Sequence, residues 1–171
     1  MMSTTTKAAR RLPVALAVLG LGAVCIAPSA NAGPPEPLDV TFRFVANPST
    51  DPADLEFPML CSFEVETTIT GKTKLVELPN GTSIITAPGQ VATVTNLDTG
   101  ETLSLSISGT TKTTLDGGFV FRGANLIIRS EAFGDDTNAL LFAHGRFTFN
   151  TTADPKFDGT GASTDICAAL A

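Results

Sequence analysis

The 171-residue sequence has no tryptophan, no tyrosine and a single histidine, His144. Sugar sites commonly stack pyranose rings on Trp or Tyr, and single-stranded nucleic-acid sites stack bases on aromatic faces, so both lose their usual platform. Positive charge is scarce as well: 11 Lys and Arg stand against 17 Asp and Glu, a formal net charge of −6 with a pI near 4.6. Nucleic acid and anionic lipid need a basic surface, and neither is expected as the main partner. Charged residues make up only 16% of the chain and hydrophobic ones 43%. That balance is too apolar for disorder, and the length suffices for one domain with a core.

Only one long apolar run is present, and it sits at the N-terminus. Residues 1–11 are polar and basic, with Lys7, Arg10 and Arg11, and residues 12–27 are small and aliphatic. Ala30-Asn31-Ala32 then offers a small-residue cleavage site before Gly33. A membrane anchor would need about 20 apolar residues and no such site. The reading is a secretory signal peptide over residues 1–32, cleaved after Ala32, with a secreted, extracellular product and no membrane span after cleavage. Cys25 does not make a lipoprotein signal, because Gly22-Ala23-Val24 before it lacks the usual Leu and the small residue next to the Cys.

Cleavage leaves two cysteines, Cys61 and Cys167, in an oxidising compartment, which is what one disulfide requires. The bridge would clamp a C-terminal strand that could otherwise fray. A catalytic thiol pair is normally close in sequence, and this pair is not. One His and two bridged cysteines cannot complete a tetrahedral zinc shell, so no metal and no cofactor is expected.

Residues 33–38 form a Pro-rich extended leader, and residues 39–171 read as a single β domain. Val40, Phe42 and Phe44 alternate with Thr41 and Arg43; Phe63, Val65, Thr67 and Ile69 with Glu64, Glu66 and Thr68; Leu103, Leu105 and Ile107 with serines. Such period-two runs mark strands with one buried and one wet face. Turn signals such as Pro79-Asn80-Gly81 and Asp98-Thr99-Gly100 separate them. Helical periodicity is confined to the signal, residues 1–32, and the final residues, 166–170.

Two hairpins can be put in register. Around Asp98-Thr99, Val94 falls opposite Leu103 and Ala92 opposite Leu105, while hydroxyl residues meet each other on the other face. A hairpin centred on Gly134 pairs Phe119 with Phe149, Phe121 with Phe147, Gly123 with Gly145, Leu126 with Phe142 and Ile128 with Leu140. The apolar parity switches at Gly123 and Gly145, which predicts a bulge or sharp bend in both strands. The fold class expected is all-β: an antiparallel up-and-down meander of about eight strands closing into a barrel, with a two-sheet β-sandwich as the alternative. Its core would be rich in the 11 phenylalanines.

The same register sets Arg122 opposite Arg146, with His144 opposite Ala124. Two arginines facing across a strand pair repel unless an anion lies between them, and guanidinium groups suit forked anions. Arg122, His144 and Arg146 are therefore a possible anion-binding site, beside the plainer reading of solvated side chains. No Gly-x-Ser-x-Gly or other nucleophile motif accompanies His144, so no catalytic residue is assigned. Acids at Asp51, Asp54 and Glu56 and at Asp135-Asp136 do not follow a calcium-loop pattern. Asn80-Gly81-Thr82 and Asn150-Thr151-Thr152 match the glycosylation sequon but are explained by a turn and a strand end.

Cys61-Ser62-Phe63-Glu64-Val65, Gly71-Lys72, Glu77-Leu78-Pro79-Asn80-Gly81 and the ending Cys167-Ala168-Ala169-Leu170-Ala171 together resemble small secreted β-rich proteins of actinobacteria, a family without an assigned activity. The resemblance implies secretion, a β fold and the Cys61–Cys167 bridge, and carries over no catalytic residue. Inhibitors of the secreted subtilisin-inhibitor type have more cysteines and a bridged reactive loop, neither of which is found. The leading expectation is a secreted, non-enzymatic β-domain that binds an extracellular protein or takes part in the cell surface. The alternatives are a β-barrel carrier of a small apolar ligand, and an extracellular hydrolase built on His144, Arg122 and Arg146.

Overall fold

The computed structural model describes residues 34–51, 53–131 and 134–171; the expected signal, residues 1–32, lies outside them. Ten strands and a short helix follow in order: β1 (Glu36–Val45), β2 (Glu56–Pro58), β3 (Val65–Glu77), β4 (Ser83–Thr86), β5 (Val91–Asn96), β6 (Thr102–Ser106), β7 (Thr110–Thr113), β8 (Phe119–Arg129), β9 (Ala139–Phe149), β10 (Phe157–Asp165) and α1 (Ile166–Ala169). The all-β expectation holds. The strands make one mixed sheet, since β2 pairs parallel with β1 and the other ladders are antiparallel. The path runs β10-β9-β8-β7-β4-β3-β1-β2, with β5 and β6 branching from β3. The two strands beyond the expected eight reflect interruptions. β5 and β4 pair in turn with the first and second halves of β3, and β6 and β7 continue along them.

The barrel is not formed. β10, β2 and β6 each have a single partner, so the sheet ends in edges instead of meeting itself. The second halves of β8 and β9 pack into the same core cluster as Leu103 and Leu105 of β6 without pairing with that strand. Leu126 and Leu140 join a core cluster with Phe42, Phe44, Val65 and Val94, while Ile127 and Ala143, on the opposite face, pack with Phe121 and Phe147. Burial on both faces explains the continuous apolar runs 126–128 and 140–143.

Of the two forms expected at the parity switch, the bulge is absent and the sharp bend is present. Every residue from Phe119 opposite Phe149 to Arg129 opposite Ala139 has one partner, and all five expected pairs are present. The ribbon instead folds over at a line of glycines. Gly123 faces Gly145, Gly145 faces Gly161, and the Cα of Gly109 lies 3.4 Å from where a Gly123 Cβ would be. Beyond that line the far ends come back together. Arg129 stands 4.8 Å over the ring of Phe157, and Lys156 pairs with Asp136 at 2.5 Å. In a straight ribbon these residues would sit about 30 Å apart.

Two buried polar groups have opposite consequences. Thr67 is fully buried in the main core and its hydroxyl has no hydrogen-bond partner among the described residues. Thr67→Val keeps the shape and removes the stranded hydroxyl. It should raise stability by about 1–2 kcal/mol, seen as a higher melting temperature at unchanged structure. Asp135, by contrast, is satisfied: Arg129 donates to both its oxygens at 2.7 and 2.9 Å. Burial alone would push its carboxyl up, but the Arg129 hydrogen bonds and charge, with backbone N–H donors from Asp136 and Thr137, hold it below the ordinary value of 3.8. A carboxyl depressed in the folded state stabilises above its unfolded pKa, and the contribution disappears as pH falls through the folded value. Asp135→Asn should therefore cost about 2–3 kcal/mol at neutral pH by stranding Arg129. Thermal unfolding should show the gap to the parent closing below about pH 4.

The C-terminus is tied in three ways. Cys61 and Cys167 are bridged, with Cα atoms 5.3 Å apart. Asp165 caps α1 by accepting from the Cys167 and Ala168 N–H groups. The buried Asn96 donates from Nδ2 to the Leu170 carbonyl at 2.8 Å.

Candidate functional site

Arg122 and Arg146 face each other in the β8–β9 ladder, as their sequence register requires, and both are exposed. Their outer neighbours in the same register are Thr110 on β7 and Thr160 on β10. His144 sits two residues before Arg146, beyond Gly145, between Ala124 and Ala162. Its ring packs edge-on to Phe142 with centroids 4.6 Å apart. The three expected residues thus share one outer face of the sheet. The buried phenylalanines of β8 and β9, Phe121 and Phe147, occupy the other face.

The charges around this face decide its character. Three cations among the described residues carry carboxylate partners: Arg43 meets Glu66 at 2.7 Å, Arg129 meets Asp135 and Lys156 meets Asp136. Arg122 and Arg146 have no ion pair or side-chain hydrogen bond among the described residues. The closest acid in the ladder is Asp158, one row away opposite Thr148, and it forms no ion pair with either arginine. Two unneutralised guanidinium groups on neighbouring strands, about 5 Å apart at the backbone, form a ready clamp for a tetrahedral or planar oxyanion.

Sequence reasoning missed two further members of this face. Lys74 on β3 and Lys112 on β7 enter through pairings that were not put in register: Lys74 with Thr86, Thr86 with Thr110 and Ile84 with Lys112. The Leu78-Pro79-Asn80-Gly81 turn held the signal, because a hairpin centred there fixes Lys74 opposite Thr86.

The remaining sequence candidates are engaged locally. Asp51 accepts from the Ala53 N–H, Asp54 from the Ser49 hydroxyl and Glu56 from the Ser49 N–H, so these acids cap their own loop. In both sequons the Asn Oδ1 accepts from the Thr hydroxyl two residues on, at 2.8 Å. A hollow lined by Ile85, Gln90, Ile107, Thr111, Asn125 and Leu126 measures about 20 Å³, room for a single water and lined by no phenylalanine. No helix among the described residues is long and apolar enough to cross a membrane. Compared with known protein-family models, curated proteins and solved structures, the chain finds no match.

Proposed function

We propose that this chain is an exported, non-enzymatic β-domain that binds an extracellular partner by gripping an anionic group of that partner between Arg122 and Arg146. The export signal, the cysteine usage and the resemblance to small secreted actinobacterial proteins support the extracellular setting. The binding role is carried by one observation. In a chain of net charge −6, two arginines face each other across adjacent strands while carboxylates pair with other cations. Leaving that repulsion uncompensated costs stability that a bound anion would return. The neighbouring hydroxyls of Thr110 and Thr160 add donors for the anion's remaining oxygens.

The test is a titration of the mature protein with inorganic phosphate and sulfate, followed by NMR at the backbone amides and arginine Nε–H groups. Saturable shifts are expected at Arg122, Arg146, Thr110 and Thr160, with millimolar affinity. Arg122→Ala combined with Arg146→Ala should weaken binding at least about tenfold, or 1.4 kcal/mol. Equal shifts in the double variant, or none in the parent, refute the clamp.

A further inference from the structure

Six strands place side chains in one unbroken cross-sheet row: Lys74 on β3, Thr86 on β4, Thr110 on β7, Arg122 on β8, Arg146 on β9 and Thr160 on β10. Cross-strand partners lie on the same face, so this is a single line of cations and hydroxyls. Lys112 flanks it, two residues from Thr110 on β7 and exposed. None of these four cations has an ion-pair partner among the described residues. With strands about 4.8 Å apart the row spans about 24 Å, and Lys74 stands about 14 Å from Arg122. A lone phosphate or sulfate cannot reach both.

We infer that this row binds a linear polyanion, a chain of sugar or polyol units carrying phosphate or sulfate esters, laid across the strands. The inference rests on the Arg122–Arg146 clamp and extends it from one anionic group to a polymer. Three features favour that occupant. Three of the cations, Lys74, Arg122 and Arg146, lie in one cross-sheet row with Lys112 beside it, which fits a chain better than the two-dimensional charge of a lipid surface. The three threonines of the row offer hydroxyls to a polyhydroxylated backbone. The row carries no aromatic side chain on which nucleic-acid bases could stack. The arginines fork onto ester oxyanions, and Lys74 and Lys112 act as outlying point charges.

The probes are size-fractionated dextran sulfate and poly(glycerol phosphate), titrated by calorimetry against the mature protein, so that the two arms separate sulfate from phosphate esters. Affinity should rise at least tenfold as the probe lengthens from about 10 Å to beyond 24 Å and then level off. The dependence of log K on log salt should have a slope of about −3, reduced by about one when Lys74→Ala or Lys112→Ala removes a contact. Each lysine variant should weaken the long probe several-fold while keeping the parent's melting temperature. Affinity independent of length, alongside intact phosphate binding at the arginines, overturns this inference and leaves the clamp standing. Loss of phosphate binding as well overturns both. Tighter binding to single-stranded DNA of equal charge, or to vesicles containing anionic lipid, also overturns it.

Discussion

Replacing both bridged cysteines, Cys61→Ser with Cys167→Ser, is expected to lower stability by about 4 kcal/mol and the melting temperature by about 10–15 °C. The bridge spans a sequence separation of 106 residues, so it removes a large amount of freedom from the unfolded chain. In the folded state it fastens α1, a four-residue helix too short to hold itself. Ile166 and Leu170 on either side of it are almost completely buried, in the same core cluster as Cys61. Without the bridge, Asn96 Nδ2 and the Asp165 cap are left to keep that plug seated, each worth about 1 kcal/mol. Hydrogen exchange should therefore quicken at the amides of residues 166–171 well before those of β8 and β9. A double variant melting within 2 °C of the parent would show that the core alone retains the C-terminus.

The local structure was legible because the physical rule behind it is local. Alternation in Leu103, Leu105 and Ile107 could only suit a strand, and the Asp98-Thr99 hairpin has the ladder its side chains demand: Val94 with Leu103 and Ala92 with Leu105. Even the longest register, β8 with β9, follows from matching phenylalanines and glycines across one turn. That is why Arg122 and Arg146 could be set opposite each other from the sequence alone.

What failed was long-range. Leu126-Ile127-Ile128 is apolar on both faces, which is a statement about having neighbours on two sides. One strand pair cannot say who those neighbours are. Read as a shifted alternation, the run implied a bulge or sharp bend in a curved wall; the bend is at the glycines, and the run beyond it is a middle layer between Phe44 and Val65 on one side and Phe121 and Phe147 on the other. The barrel failed for the same long-range reason: β10, β2 and β6 each end with a single partner, which no hairpin register can show. The site was half legible for the same reason. Lys74 and Arg122 are far apart in sequence and meet only through β4 and β7, whose four-residue strands give little register signal of their own.

The glycine line makes that folding-over testable. Gly145→Ala should be the most damaging single substitution of those considered, at about 4 kcal/mol or more, with loss of cooperative unfolding or of soluble protein. Two costs combine. At φ +140° a side chain is strained wherever it points, by about 1–2 kcal/mol. In addition, its Cβ would come within 2.2 Å of the Thr160 carbonyl oxygen and 2.8 Å of the Gly161 Cα, both of them backbone atoms that can yield only if β10 moves off β9. Gly117→Ala separates the two costs. Gly117 has φ +82° in the β7–β8 turn and nothing within 4 Å of its would-be Cβ, so it should lose only the conformational part, about 1 kcal/mol. If both variants melt within a degree or two of each other, close backbone approach is not what creases the sheet. If Gly145→Ala alone collapses, the approach of β10 to β9 at that point is what lets Arg129 reach Phe157. The exposed Arg122–Arg146 pair lies next to that glycine line in the ladder, so phosphate shifts at those arginines should vanish together with the fold.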